Sequence, residues 1–215
     1  SNTEAGWPFF GQFIAHDITA DRSPLERTEH FVVSNQRAPR LNLESIYGAG
    51  PGGSPYLFDR NDPAKFLLAN GGCDLPRNAQ GTAIIADPRN DSHLFMNQMH
   101  LAMLRAHNSF VDLSRAQGVA EDAVFGAARQ GLTWHYQWVV AEEFLPKLVG
   151  RALVDALNKG EVRLPLADGL SIPYEFADAA YRYGHSQIRQ TYQVNADMPP
   201  VPLFPDLIGF RPVPA

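Results

Sequence analysis

Two long amphipathic segments lie next to each other in the second half of the chain. From about residue 92 to residue 117, apolar side chains recur at spacings of one, three and four, the pattern of an α-helix with one buried face. The same pattern runs from about 121 to 148, and Gly118 lies between the two segments. A short turn of this kind predicts an antiparallel helix pair. The chain is therefore expected to be mainly α-helical.

Three shorter helices are expected around this pair, over residues 7–18, 151–158 and 174–192. The first carries an apolar stripe and begins beside Pro8, a residue that suits the first turn of a helix. Gln12 and His16 are four residues apart on this helix, so their side chains share one face.

The rest of the chain is expected to form loops. Residues 19–90 are rich in Gly and Pro and contain no long periodic segment, which predicts a long irregular region. The tail, 198–215, contains too many prolines for a regular helix. We find no internal repeat. These features predict one mainly helical domain over 1–215 with minimal β structure.

Composition excludes several classes of partner. A hydrophobic fraction of 45% is typical of a folded protein, and a net charge of -5 provides no basic face for nucleic acid. No apolar run is long enough to predict a transmembrane segment, and no signal peptide is visible. The lone Cys73 excludes an intramolecular disulfide and a Cys-based metal site. The cellular compartment stays open.

His16, Arg89 and His185 are the residue types that cleavage of a peroxide at a haem iron requires. A histidine can accept and return a proton near neutral pH, and an arginine can stabilise the charge that develops as the bond breaks. A second histidine can bind the iron. Taken singly, each is more commonly a structural residue, so composition and spacing alone do not identify a haem site.

In six ordered stretches the chain resembles the peroxidase-cyclooxygenase superfamily, also called animal-type haem peroxidases. They are QFIAHDIT (12–19), LNLESIYG (41–48), DPRND (87–91), Met99-His100 with RAHN (105–108), FLP (144–146) and RYGH (182–185). The stretch WHYQWVV (134–140) is most similar to bacterial members. The resemblance implies the helical haem peroxidase fold.

The resemblance also implies a role for each of five residues. His16 is expected to be the distal base, Arg89 the distal arginine, and Gln12 a residue that shapes the distal pocket. His185 is expected to be the proximal ligand of the haem iron. Arg182, one turn earlier, is placed to meet a haem propionate.

A calcium site is a further expectation from the resemblance, in which the residue after the distal histidine binds calcium. That residue is Asp17, and Asn42, Glu44 and the carbonyl of Arg40 align with the remaining ligands. Ala38 and Asn42 replace oxygen-rich residues of the family, which predicts weaker binding. The alternative for Asp17 is a helix cap or an ion pair.

The haem itself is expected to be haem b held without covalent bonds. Mammalian members form ester links through acids at the positions of Ala15 and Ser92, and neither residue can do so. An unlinked haem should be less electron-poor, which favours oxidation of organic donors over halide.

The other histidines are interpreted as structural. His100 and His107 lie among core methionines, and His135 lies beside two tryptophans on a helix. His30 and His93 lie in or near loops without a set of partners.

The family's proximal histidine donates a hydrogen bond to an asparagine on a later helix, and no candidate follows His185. We therefore expect the chain to be the N-terminal portion of a larger catalytic domain, with the remainder of that domain as its partner. The leading hypothesis is a peroxidase that uses hydrogen peroxide and a small organic donor. The alternatives are a fatty-acid dioxygenase of the same superfamily acting on a lipid, a non-catalytic haem-binding fragment, and a haem-free helical scaffold. Secretion or a periplasmic location is suggested by the resemblance alone.

Overall fold

The computed structural model describes residues 4–20, 35, 37, 40–162, 172, 173 and 175–208. The α-helices of this part are α1 (Gly6–Ile18), α2 (Glu44–Tyr47), α3 (Gly50–Gly53), α4 (Leu94–Ala116), α5 (Glu121–Trp138), α6 (Leu145–Val149) and α7 (Arg151–Asn158). Short 3₁₀ helices span Pro55–Leu57, Asn70–Gly72, Pro88–Asp91 and Ala180–Gln187, and π-helical turns span Val139–Phe144 and Glu175–Ala179. Strands β1 (Thr191–Tyr192) and β2 (Val201–Pro202) pair antiparallel. The prediction of a mainly helical fold with minimal β structure is confirmed.

The predicted helix pair is formed by α4 and α5. Val111 of α4 packs with Val124 and Ala128 of α5 in one buried cluster. Near the middle of the pair, a Cβ atom on Gly131 would lie 3.0 Å from the ring of Phe110, so the two helices approach closely there. Gly118 closes α4 with a φ of 77°, a left-handed conformation that glycine adopts without strain.

Helix α1 packs one face into the centre of the core. Phe13 and Ile14 are buried, and the ring of Phe13 meets Tyr136 of α5 edge-on with 5.8 Å between centroids. Phe10 makes a similar contact with Phe144, at 5.6 Å. These aromatic pairs fix α1 against the helix pair and orient its remaining face, which carries Gln12 and His16.

The second long segment is not one continuous α-helix. Helix α5 ends at Trp138, a π-helical turn covers Val139–Phe144, and α6 follows. Pro146 explains the change, because it has no N–H to donate and its ring would clash with the carbonyl of the preceding turn of a regular α-helix.

The prediction of a regular helix over 174–192 is wrong. A π-helical turn and the 3₁₀ helix Ala180–Gln187 occupy this region, and the chain then extends into β1. Two physical reasons account for the difference. Gly184 is a poor helix former, and Gln190 accepts a backbone hydrogen bond of 3.1 Å from Leu203 in the returning tail.

The described part of the tail packs over the start of α1. Phe9, Tyr192, Leu203 and Leu207 form a second buried cluster, and the N–H of Leu94 donates to the carbonyl of Leu207 at 2.7 Å. The tail thus joins the beginning of α4 to α1. Among the described helices, none combines the length and the apolar character that crossing a membrane requires.

Candidate active site

A cavity of about 510 Å³ lies between α1 and the 3₁₀ helix Ala180–Gln187. Every residue predicted to act at the haem, together with the two positions expected to lack ester links, lines it: Gln12, Ala15, His16, Arg89, Ser92, Arg182 and His185. Pro8, Gly11, Thr19, His93, Tyr181, Tyr183, Gly184, Ile188, Leu203 and Phe204 complete the lining. The fold thus brings together residues that are far apart in the sequence.

His16 is buried at the side of this cavity and holds one defined tautomer. Its Nδ1 is 2.7 Å from Oδ1 of Asn90. The amide nitrogen of Asn90 is 3.0 Å from Nδ1 of His100, so Asn90 donates there and accepts from His16. Nδ1 of His16 therefore carries the proton, and Nε2 keeps a lone pair.

The surroundings keep the His16 ring neutral. Burial lowers its pKa to about 4, and the charges of Arg89 and Arg182 act in the same direction. The hydrogen bond to Asn90 and the charge of Asp87 oppose this shift without cancelling it. At neutral pH the side chain is a base that is ready to accept a proton.

Arg89 is held in place by its own turn and by the end of α1. Its Nε and Nη2 donate to the two carboxylate oxygens of Asp87 at 2.9 and 2.7 Å. Nη2 also donates to the carbonyl oxygens of His16 and Thr19, at 2.9 and 2.7 Å. Burial alone would raise the pKa of Asp87, but the hydrogen bonds and charge of Arg89 hold that pKa at about 2. Asp87 thus stays ionised and fixes the guanidinium.

Gln12 is paired with a histidine that the sequence interpretation placed without partners. Nε2 of His93 lies 3.0 Å from Oε1 of Gln12, and Nδ1 of His93 accepts from the N–H of Met96 at 3.4 Å. Nε2 therefore carries the proton and donates to Gln12. His93 is buried, caps the start of α4 and lines the cavity, so its interpretation as a loop residue without partners was wrong.

Asn90 and His93 are the site residues that the sequence interpretation missed. Their hydrogen bonds span 74 and 81 residues, so no local pattern could reveal them. The only available signal was the position of Asn90 directly after Arg89.

His185 lines the cavity from the 3₁₀ helix Ala180–Gln187 and is exposed. Its Nδ1 is 2.8 Å from the carbonyl oxygen of Arg182, an atom that can only accept a hydrogen bond. Nδ1 therefore carries the proton, and Nε2 is left with the lone pair that binding a metal requires. This carbonyl fixes the tautomer that the expected asparagine would fix. Arg182 itself donates to the carbonyl of Ala177 at 3.1 Å and lines the same cavity.

The chemistry of this donor set fits a haem. Two histidines from different elements line one cavity, and each has its Nδ1 proton engaged and its Nε2 available. The lining combines apolar side chains such as Ile188, Leu203 and Phe204 with two arginines, which suits a flat organic group that carries carboxylates. Neither Ala15 nor Ser92 offers a carboxylate for an ester link.

The residues expected to bind calcium are engaged with other groups. Both oxygens of Asp17 accept backbone hydrogen bonds at the start of α2, from Leu43 at 3.0 Å and Ser45 at 3.3 Å. Glu44 lies 2.9 Å from the Asn42 amide nitrogen, and the Arg40 carbonyl accepts from Gln137 at 3.3 Å. Among the described residues, no three His, Cys, Asp or Glu side chains lie close enough to hold a metal ion, and Ala38 falls outside them. This arrangement matches the alternative of a cap for Asp17, and calcium binding at these residues stays a prediction.

The remaining histidines of the described part have structural partners. His107 is buried, with Nδ1 2.9 Å from the hydroxyl of Tyr47 and Nε2 2.9 Å from the carbonyl of Ala64. His100 is buried against Asn90, and His135 is exposed on α5. His30 lies outside the described residues.

Comparison with known proteins identifies the family. Residues 57–202, more than half of the chain, match the sequence profile described as animal haem peroxidase. The chain belongs to the animal haem peroxidase family. The matched residues include Arg89, Arg182 and His185, whereas Gln12 and His16 precede them.

Individual relatives agree with this membership. The chain is 24% identical to Heme peroxidase 2 of Caenorhabditis elegans over 191 residues, which cover 78% of this chain and 25% of the nematode protein. Peroxidase A of Dictyostelium discoideum matches 96% of this chain with a TM-score of 0.66 and 15% identity, over 52% of its own length. A fatty acid alpha-dioxygenase of Oryza sativa matches 86% with a TM-score of 0.62 and 15% identity, over 40% of its length. The two structures establish the fold, and the chain spans about half or less of each relative.

Proposed function

We propose that this chain carries the peroxide-cleaving site of a haem-dependent peroxidase that reduces hydrogen peroxide and oxidises a small organic donor. One observation carries the proposal: His16, neutral and with Nδ1 fixed by Asn90, shares a cavity with His185, whose Nδ1 is fixed by the Arg182 carbonyl. A base and a metal ligand are thus prepared in one site.

Haem, when bound, supplies the iron at which the peroxide bond breaks. His185 would bind that iron through Nε2, and Arg182 would pair with a propionate. Packing against the apolar lining would hold the ring, since Ala15 and Ser92 cannot form esters. The cofactor is therefore haem b held without covalent links.

His16 acts on the protons of the peroxide. With haem bound, Nε2 of His16 would accept a proton from one oxygen of hydrogen peroxide and return it to the other, which would leave as water; the haem would supply the two electrons for this cleavage and recover them from the organic donor. The tautomer suits this task, because Asn90 holds the Nδ1 proton and leaves Nε2 as the accepting atom. The depressed pKa keeps Nε2 unprotonated before the reaction begins.

Arg89 and Gln12 shape the space in which this transfer occurs. Asp87 neutralises part of the Arg89 charge, so we propose that the arginine stabilises the breaking bond as an oriented hydrogen-bond donor more than as a free cation. Gln12 is oriented by His93 and would position the peroxide or a water molecule.

An absorption spectrum of the protein supplied with haem tests the proposal. We expect a Soret band that shifts when peroxide is added, together with peroxide-dependent oxidation of a phenol. His185→Ala should abolish the band, and His135→Ala, at an exposed position on α5, should leave it unchanged. A wild-type band that ignores peroxide would instead indicate a non-catalytic haem-binding protein, and no band at all would indicate a haem-free scaffold.

A second candidate is a fatty-acid dioxygenase of the same superfamily. The specific observation in its favour is the TM-score of 0.62 with the rice alpha-dioxygenase, which is nearly as high as the TM-score of 0.66 with Peroxidase A. Oxygen consumption with an unsaturated fatty acid, in the absence of a phenol, separates the two activities. We expect none; uptake of oxygen without peroxide-dependent phenol oxidation would favour the dioxygenase.

A further inference from the structure

The guanidinium of Arg37 is buried among carboxylates next to the proposed active site. Its side chain is 3% exposed. Nη2 donates to Oδ2 of Asp87 at 2.9 Å, and Nη1 lies 3.5 Å from Oε2 of Glu44. Nε is buried without an acceptor among the described residues, so the contacts to acids involve the two terminal nitrogens.

These contacts place a fixed positive charge beside residues for which the family resemblance suggests calcium. Glu44, an expected ligand, pairs with Arg37. Burial raises the pKa of Asp17, and the charge of Arg37 opposes this rise without cancelling it. Asp17 also accepts from the backbone at the start of α2, next to Glu44. The guanidinium of Arg37 therefore neutralises part of the negative charge that a divalent ion would neutralise.

Arg37 and Arg89, the proposed distal arginine, donate hydrogen bonds to the same carboxylate. Oδ2 of Asp87 accepts from Arg37 and from Arg89, and Arg89 continues to the carbonyl oxygens of His16 and Thr19. A single buried carboxylate thus connects Arg37 to the end of α1. Removal of Arg37 would leave Arg89 as the remaining described residue that donates to Asp87, so the carboxylate would lose its second anchor.

We propose that the Arg37 guanidinium takes the place of a structural calcium ion, holds α1, α2 and the Pro88–Asp91 turn together, and positions Arg89 through Asp87. The distal site is therefore independent of calcium. Arg37 is a positioning residue, since its contacts are with Asp87 and Glu44 and it does not line the cavity that contains His16.

Thermal unfolding of the wild-type protein with excess chelator or excess calcium is the first test. Because no cation other than Arg37 is needed, we expect the two melting temperatures to agree within about 1 °C. Metal analysis should find far less than one calcium per chain. A stoichiometric calcium ion, or a clear drop in melting temperature on chelation, would overturn the proposal. This result does not depend on peroxidase activity.

The second test is the rescue of Arg37→Ala by guanidinium. A second cavity of about 830 Å³, lined by Arg37, Glu44, Asp87 and Arg89, gives small cations access to this position. In the haem-loaded protein we expect Arg37→Ala to slow the reaction with peroxide by on the order of tenfold to a hundredfold, because Arg89 is displaced. Millimolar guanidinium should restore part of that rate.

Arg115→Ala is the matched control, because Arg115 also bridges two acids, Asp62 and Glu121, at the far end of the helix pair. Guanidinium should not change the rate at which the Arg115→Ala variant reacts with peroxide. If Arg37→Ala does not fold, the peroxide rate of Arg37→Lys can be compared with that of the wild type instead. A lysine ammonium is one point charge and cannot contact Asp87 and Glu44 with two separate nitrogens. An unchanged peroxide rate in the folded variant would contradict the positioning role.

Discussion

At the scale of single residues, the site is defined by which nitrogen of each histidine carries a proton. The hydrogen bond to Asn90 fixes the tautomer of His16, and those to Met96 and Gln12 fix the tautomer of His93. The carbonyl of Arg182 fixes the tautomer of His185. None of these settings requires an ion pair with a carboxylate. Burial lowers the pKa of His16 and of His93 to about 4, so these two rings are neutral at neutral pH.

The pH dependence of the reaction with peroxide follows from the pKa of His16, about 4. Above that pH Nε2 is unprotonated and can accept a proton; below it the ring is protonated and the rate should fall about tenfold per pH unit. Asn90→Asp places a carboxylate beside Nδ1, which favours the protonated ring and should raise the midpoint by about one unit or more. Rapid-mixing measurements across pH 3–7 provide the profile. His135→Gln, on the exposed face of α5, should leave the midpoint in place, and a midpoint near 6.5 in the wild type would refute the assigned burial effect.

The attachment of the haem is a second residue-scale prediction. Ala15 and Ser92 line the cavity and have no carboxylate, so acidified butanone should extract essentially all of the haem from the polypeptide. Comparison of haem absorbance in the organic and protein phases measures this. Haem that stays with the protein after extraction would show a covalent link that this chain's residues at these two positions do not explain.

At the scale of secondary-structure elements, the α4–α5 pair depends on close approach at Gly131. An added Cβ there would meet the Phe110 ring at 3.0 Å, so Gly131→Ala should lower the free energy of unfolding by about 1–3 kcal/mol. Gly126 lies on the same helix, and an added Cβ there meets nothing within 4 Å. Gly126→Ala should therefore raise stability by up to about 1 kcal/mol through helix propensity. Thermal melts of the two variants should shift in opposite directions; equal shifts would mean that the helices are not in contact at this point.

Elements with a strong apolar period were predictable from the sequence. Helices α1, α4 and α5 begin within about two residues of the expected positions, because burial of one face determines the period of their apolar residues and that period starts with the helix. The turn at Val139–Phe144 and the irregular helix before β1 were not predictable from the sequence. Both depend on local hydrogen-bond geometry, set by Pro146 and by pairing with the returning tail, and periodicity does not encode such geometry.

The candidate site was predictable to a similar degree. Family motifs indicated His16, Arg89, Gln12, Arg182 and His185, and the fold gathers them around one cavity. The residues that orient them, Asn90 and His93, escaped notice because their contacts cross the chain. The calcium expectation came from the family resemblance, which did not reveal that Arg37 lies 3.5 Å from Glu44, one of the expected ligands.

At the scale of the whole molecule, the chain is a member of the animal haem peroxidase family that spans a quarter of the nematode relative and about half of the amoebal one. The residues proposed as distal come from α1 and the Pro88–Asp91 turn, and the histidine proposed as the proximal ligand comes from the 3₁₀ helix that leads into β1. The placement of residues 1–215 within a larger domain remains a prediction.

The rate at which peroxide changes the Soret band, compared between the haem-loaded wild type and His16→Ala, tests the central claim most directly. Loss of the distal base should slow this step by on the order of a hundredfold or more and leave the amount of bound haem unchanged. A variant that binds haem and reacts with peroxide as fast as the wild type would contradict the assignment of His16 as the residue that moves the proton.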